Sequence, residues 1–436
     1  MGNGVIKSQL RRVFLAIPDY RGALAFCGAV SAILTLATFF TSCSERPQIV
    51  QPGTRLGNGS GGVNGGGAGA GGVGSAGGAG TGSGVGSDVA LRLDQLNSGR
   101  AAVWLATSNY SSGGSLGRLD LTTGLLNAKV KAIGSDAVIF DDPAGPAGAG
   151  LLVLHRMTQD AVIALQGPTA QFKGQFKLVE SVNAQAALRD TQGRVWVTAY
   201  ESNSVTVLGP DLHSVAGSID LGGLVEPDSV DHLAELSQMV ELSNGQVLVS
   251  AQNLNRMAGG WVTNPESSYA LIDKATLGVE FSGRMAAPNP VRLQAQGNSA
   301  WVVGSGDLSS IGPLVGSIGL FSGVTRQLVN QASGQASAAA RILDAGFKDG
   351  SNAPAVIAWY PQVNQSCIEQ AGRKILCAGD AQNGGYVFNK LLWVGDALMI
   401  SYVGDQNAEL WVVSLQGGDP IKLSLPMQIV SMSFGP

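Results

Sequence analysis

The chain has 436 residues, with 27 Lys and Arg against 31 Asp and Glu, a formal net charge of −4, and 62 glycines among only 13% charged residues. Outside the first residues it carries no Lys/Arg cluster, which excludes nucleic acid as a partner, because phosphates need a basic stripe to neutralise them. Three histidines and four cysteines leave little material for acid–base or metal chemistry.

The chain opens with Lys7, Arg11, Arg12 and Arg21 ahead of an unbroken apolar stretch from Gly22 to Phe40. A basic region followed by an apolar region of this kind is a targeting segment, and the stretch approaches the roughly 20 residues that would span a bilayer. Cleavage after residue 42 and retention as a simple N-terminal anchor are the two readings. The cysteine at the end of the run favours cleavage. Phe40-Thr41-Ser42-Cys43 resembles the lipobox of bacterial lipoproteins, departing at Phe40, where that family carries Leu. The resemblance implies acylation of Cys43, which becomes the mature N-terminus, and an envelope location, with Ser44 permissive for the outer membrane. Arg11-Arg12-Val13-Phe14-Leu15 resembles a twin-arginine export signal, but Pro18, Asp19 and Arg21 separate it from the apolar core.

Between Gly53 and Ser87 the chain is almost wholly Gly, Ala, Ser, Val and Thr. Such a segment cannot bury a core and behaves as a flexible coil, with a mean reach of about 30 Å and a contour of about 120 Å. The glycines keep no three-residue period, so a collagen-like element is excluded. The expected organisation is a signal peptide over 1–42, a lipidated N-terminus and tether over 43–88, and a folded domain over 89–436.

That domain is long for one ordinary core but normal for a closed repeat fold. A short apolar strand recurs as AVWLAT around Trp104, LLVLHR around Val153, RVWVTA around Trp196 and QVLVSA around Leu248, then SAWVVG around Trp301, AVIAWY around Ile357 and ALMISY around Met399. The copies recur about every 50 residues, in the range of propeller repeats. Polar turns precede the main strand, as in ALRDTQG before Arg194, and second and third strands follow it, as in SVTVL (204–208) and VAGSIDL (215–221). The prediction is an all-β propeller of seven blades, each of four antiparallel strands. Val89–Leu93 and Ile429–Phe434 supply surplus strand segments at the two ends, which are expected to close the ring. Trp104, Trp196 and Trp301 share one repeat position and are expected to pack between blades.

The segment Val195–Leu221, and more loosely Tyr269–Phe281, resembles bacterial β-propellers of the YVTN type. That resemblance implies the fold and nothing about activity. Propeller lactonases and streptogramin lyases, which share the architecture, would need acidic and histidine residues meeting at the central channel.

With Cys27 lost alongside the signal and Cys43 acylated, Cys367 and Cys377 remain, flanking IEQAGRKIL in what reads as an insertion before the last blade. A disulfide is the expectation in an oxidising compartment; free thiols and a metal site are the alternatives. His155 falls in a main strand, His213 in a turn, and His232 beside Asp231 and Glu235. Neighbours in sequence do not define a converging site, so no catalytic residue, metal ligand or cofactor is assigned. Asp141-Asp142 offers only two carboxylates toward calcium, which wants six or more oxygens. The expected role is a monomeric, non-catalytic binding or scaffold module, anchored by lipid in the cell envelope and facing a protein or glycan partner. The loops 254–268 and 360–383 are its expected surface. A central-channel hydrolase or lyase, and a surface adhesin, are the competing readings.

Overall fold

The computed structural model describes residues 100–436 apart from 112, 144–149, 157–158, 258–259, 308–313, 331–339, 349–353, 380–386 and 405–407. The expected signal peptide, Cys43, the tether and Val89–Leu93 therefore lie outside the described residues.

The described chain forms seven four-stranded antiparallel sheets and one two-stranded hairpin. Blade 1 contains β1 (Ala102–Ser108), β2 (Gly114–Asp120) and β3 (Leu126–Ile133). Blade 2 runs through β4 (Ala137–Asp142), β5 (Gly150–His155), β6 (Ala161–Gln166) and β7 (Gln171–Lys177). Blade 3 follows as β8 (Ala184–Arg189), β9 (Val195–Ala199), β10 (Ser204–Leu208) and β11 (Val215–Asp220). Blade 4 holds β12 (Leu236–Glu241), β13 (Gln246–Ala251), β16 (Ser267–Asp273) and β17 (Val279–Met285), with the hairpin β14 (Asn255–Met257) and β15 (Gly260–Val262) inserted after its second strand. Blade 5 is β18 (Pro290–Gln296), β19 (Ser299–Gly304), β20 (Ser317–Ser322) and β21 (Gln327–Asn330). Blade 6 is β22 (Arg341–Gly346), β23 (Ala355–Tyr360), β24 (Gln365–Gln370) and β25 (Arg373–Ala378). Blade 7 is β26 (Phe388–Val394), β27 (Ala397–Val403), β28 (Ala408–Ser414) and β29 (Ile421–Leu425).

The last strand, β30 (Gln428–Gly435), joins none of its immediate predecessors and pairs instead with β1, completing blade 1 as its innermost strand. Ile429–Phe434 thus closes the ring as expected. The inner strands touch in an unbroken circuit, β30 to β4, β8, β12, β18, β22, β26 and back to β30. Every predicted strand centre, from Trp104 to Met399, lies in the second strand of its blade.

Apolar packing explains why those strands read so clearly: β1 and β9 are buried at every position, while the outer β7 reads QFKGQFK and is mostly exposed. Lysines on such an edge discourage pairing with another chain. The core is divided among the seven blade interfaces. Trp104 packs with Ile139 and Val153 across the first, Trp196 with Met239 and Val249 across the third, and Trp301 with Ile342 and Val356 across the fifth. The second interface is filled by a cluster around Leu154 and Val197, and the fourth by one around Leu271 and Leu293. Ile368 and Trp393 centre the sixth, and Val103 and Met399 the seventh, where the last blade meets the first.

Cys367 and Cys377 are bonded, with Cα atoms 4.1 Å apart. They sit directly opposite each other on β24 and β25. The segment read as an insertion is therefore the outer half of blade 6, and the same correction applies to most of the expected loop 360–383. Its Ser366, Glu369, Arg373 and Lys374 disguise the apolar pattern of these outer strands.

Two outcomes test this architecture. Deleting Gln428–Pro436 removes Ile429, Val430 and Met432 from the two interfaces flanking blade 1; the cooperative urea transition should be lost, and limited proteolysis should cut within blade 1. Reducing the disulfide, which closes a span of 10 residues, should lower stability by about 2–3 kcal/mol, read as a lower urea midpoint with the blade fold retained.

Candidate functional site

The inner strands all begin on one face of the ring, where the second strands end: Ala137 at the start of β4 pairs with His155 at the end of β5. This is the entry face of the central channel. Here six of the seven inner strands carry a register shift against their second strand; β4 alone runs without one. A bulge re-aims the side chains beside it. In β18 it precedes Arg292, in β22 it precedes Asp344, and in β26 it precedes Lys390.

Arg292, Arg341 and Lys390 are spaced 49 residues apart. They oppose Val303, Trp359 and Ser401, each two residues beyond its strand centre. Opposite the matching Ala106, His155 and Thr198, blades 1 to 3 place Ser431, Ala137 and Ala186. One inner position is thus small in three consecutive blades and cationic in three others.

The cations are held by a few carboxylates. Arg292 Nη1 donates to Asp344 Oδ1 at 2.9 Å, and the Leu391 amide donates to Asp344 Oδ2 at 2.9 Å, so one aspartate joins blades 5, 6 and 7. Buried Arg341 lies 4.0 Å from Asp307, whose Oδ2 also accepts the Leu314 amide at 2.6 Å. Burial lowers the Arg341 pKa, and Asp307 acts against that shift. From blade 2, Arg156 follows β5 and pairs with Asp136. Burial raises the Tyr110 phenol's pKa at the neighbouring end of blade 1, with Arg156 lowering it and Asp136 raising it.

Lys390 is the focus of this set. Burial lowers the pKa of its half-buried ammonium first; Asp344 opposes the shift, while Arg156 and Arg292 add to it. Arg156 from blade 2 and Arg292 from blade 5 thus both bear on the ammonium of blade 7, and no two of these blades are adjacent in the ring. Among the described residues Lys390 makes no hydrogen bond or ion pair.

The histidines do not join this group as a set. His155 accepts the Gly134 amide at Nε2 (3.5 Å) and meets Gln159 Oε1 at Nδ1, which is the pattern of a neutral ring with the proton on Nδ1. Burial lowers its pKa, against the effect of Gln159. His213 lies in the turn between β10 and β11, its amide donating to Asp211. His232 accepts from Asn203 through its backbone carbonyl. Asp231 Oδ1 accepts the Leu233 amide and Glu235 Oε2 the Leu254 amide, so both carboxylates are engaged by backbone amides.

Asp141 and Asp142 lie at the far end of β4, away from the entry. They go to separate arginines, Asp141 to Arg100 at 3.5 Å and Asp142 to Arg189 at 2.8 Å. Burial raises both carboxyl pKa values while the arginines oppose it. Among the described residues no three His, Cys, Asp or Glu side chains are grouped to hold a metal ion. The expected loop 254–268 contains the β14–β15 hairpin and is tied down by Asn253, whose Nδ2 donates to Ser268 Oγ at 2.6 Å and whose carbonyl accepts from Asn264.

No protein-family model and no curated protein matches the sequence. Among solved structures, the chain is similar to a Lactobacillus plantarum protein at 12% identity and a TM-score of 0.54, over 77% of this chain and 99% of that one. It is also similar to the β-propeller domain of Myceliophteria thermophila Cps50 (Swd1), at 12% identity and 0.48 over 74% and 93% of the two chains. A streptogramin B lyase matches at 12% identity and 0.45, over 68% and 86%. Likeness at this identity is likeness of fold alone, and the chain is a β-propeller.

The entry cations escaped sequence reasoning because they are far apart in the chain. Their 49-residue spacing, in phase with the repeat, is the signal that marks them. Replacing Lys390 with Met should raise the urea midpoint at neutral pH. Because the folded-state pKa of Lys390 is lowered, the unfolded chain binds the extra proton between that value and the ordinary lysine range, so wild-type stability rises with pH there. The advantage of Lys390→Met should accordingly shrink across that window in urea titrations at stepped pH.

Proposed function

We propose that this chain is an envelope lipoprotein whose seven-bladed propeller is a non-catalytic binding module, using the entry face of its channel. The observation that carries the binding reading is the placement of Arg292, Arg341 and Lys390 at one equivalent inner-strand position of blades 5, 6 and 7, with Lys390 left unpaired among the described residues. Charge concentrated where the repeat elsewhere keeps small side chains is a recognition feature. Asp344 and Asp307 serve as counter-ions to Arg292 and Arg341. A protein or glycan presented to the envelope is the class of partner, and the propeller acts as a monomer.

The anchoring part of the proposal rests on the sequence: the basic and apolar N-terminal segment, the lipobox-like Phe40-Thr41-Ser42-Cys43, and the glycine-rich run after it. In this organisation residues 1–42 are removed, 43–88 form the lipidated tether and 89–436 the propeller, on the outer membrane.

Intact-mass analysis of membrane-extracted protein tests it. The wild type should begin at Cys43 and carry acyl mass, and Cys43→Ser should lack that mass. A chain retaining Met1 would replace lipidation with an uncleaved anchor over Gly22–Phe40.

A further inference from the structure

The outermost strands of the blades are not anchored alike. β3, β7, β11, β17 and β29 each bury at least one residue. In β25 none is buried: Arg373 and Lys374 are exposed, and Ile375, Leu376, Cys377 and Ala378 are only half covered. Ile375, Leu376 and Ala378 lie at the margin of the sixth blade interface. The Lys374 ammonium sits 4.2 Å over the Tyr360 ring, a contact that is weak at an exposed site.

The backbone of this hairpin is also poorly held. Its two-residue turn places Ala371 at φ 49° and Gly372 at φ 75°, and the first of these left-handed positions favours Asn, Asp or Gly over alanine. The pairing of β24 with β25 then shifts register between Ile368 and Glu369, so Ile375 is passed over in the ladder. A strand with a disfavoured turn, an interrupted ladder and no buried side chain has little of its own to keep it in place.

One covalent hold remains. Cys367 and Cys377 face each other directly across the ladder and are bonded. Cys367 is fully buried in the fifth interface, beside residues such as Trp301 and Val356, whereas Cys377 is half-buried at its margin. The bond thus ties a loosely held edge strand to one built into the core.

We propose that this disulfide is a redox latch: a dithiol reductant opens it through Cys377, and β25 then lifts from blade 6 while the ring stays closed. The latch is independent of the binding reading of the entry face. One thiolate of the reductant attacks the accessible sulfur of Cys377, which breaks the Cys367–Cys377 bond and leaves Cys367 as a thiolate that takes up a proton. The second thiolate then attacks the reductant sulfur now joined to Cys377. The reductant closes its own disulfide, and Cys377 departs as a thiolate and is protonated in turn. Two electrons pass from the dithiol to the protein, and the two thiol protons end on the two cysteines. The ring survives because its circuit runs through inner strands, where β22 keeps its neighbours β18 and β26. Release uncovers the backbone edge of β24, onto which another extended chain can pair.

The experiment is hydrogen exchange of the full chain, followed by peptide mass spectrometry without denaturant, before and after treatment with dithiothreitol. Reduction should speed exchange about ten-fold or more over Arg373–Ala378 and over Gln365–Gln370, with β1, β9 and β30 unchanged. Cys377→Ser should exchange like the reduced wild type with no reductant present. With glutathione, the mixed disulfide should be trapped on Cys377. A bond that resists dithiothreitol until urea unfolds the protein overturns the latch, as does reduction with no faster exchange in β25. Faster exchange in every blade overturns local release, and a mixed disulfide on Cys367 overturns the direction of attack.

Discussion

Everything in this molecule depends on the pairing of β30 with β1. Each blade presents two apolar faces and can cover them only with its neighbours, so an open arc would leave one face exposed at either end. The C-terminal strand removes that problem by becoming the inner strand of the first blade. Trp104 shows how tightly the two ends are joined: its side chain is fully buried and its Nε1 donates to the Pro436 carbonyl at 3.2 Å. Arg118 donates to the same carbonyl at 3.1 Å.

Closure also creates the candidate site. Arg292 and Lys390 lie 98 positions apart in the chain, and neighbouring inner strands of the ring bring the blades that carry them together around Asp344. The inner-strand bulges supply the local part of the geometry, and the ring supplies the global part. Asp344 links the two levels, because it binds a side chain from the preceding blade and a backbone amide from the following one. A charge change at that residue would be felt in three blades together.

The fold was legible in the sequence because second strands are buried on both faces and so read as uninterrupted apolar runs. AVWLATS in β1 and VWVTA in β9 have no exposed position to interrupt the pattern. Outer strands were harder: β25 reads RKILCA with its first two residues exposed, and a segment with that pattern looks like a loop until its partner is known. The disulfide was legible through the arithmetic of four cysteines, although its place in a blade was not. The entry cations were illegible for a different reason. Each is the one cation of its inner strand, and only superposing the repeats shows that Arg292, Arg341 and Lys390 occupy one position.

The direction of β1 has a mechanical consequence. It starts at Ala102 on the face opposite the channel entry, and it is flanked by hydrogen-bonded strands on both sides, β2 and β30. A pull on the chain preceding Ala102 acts along the strand axis, so it loads two ladders in shear together and does not unzip a single edge pair by pair. Traction from that side is also delivered to the far rim of the ring, leaving the geometry of the entry face the last part to be disturbed.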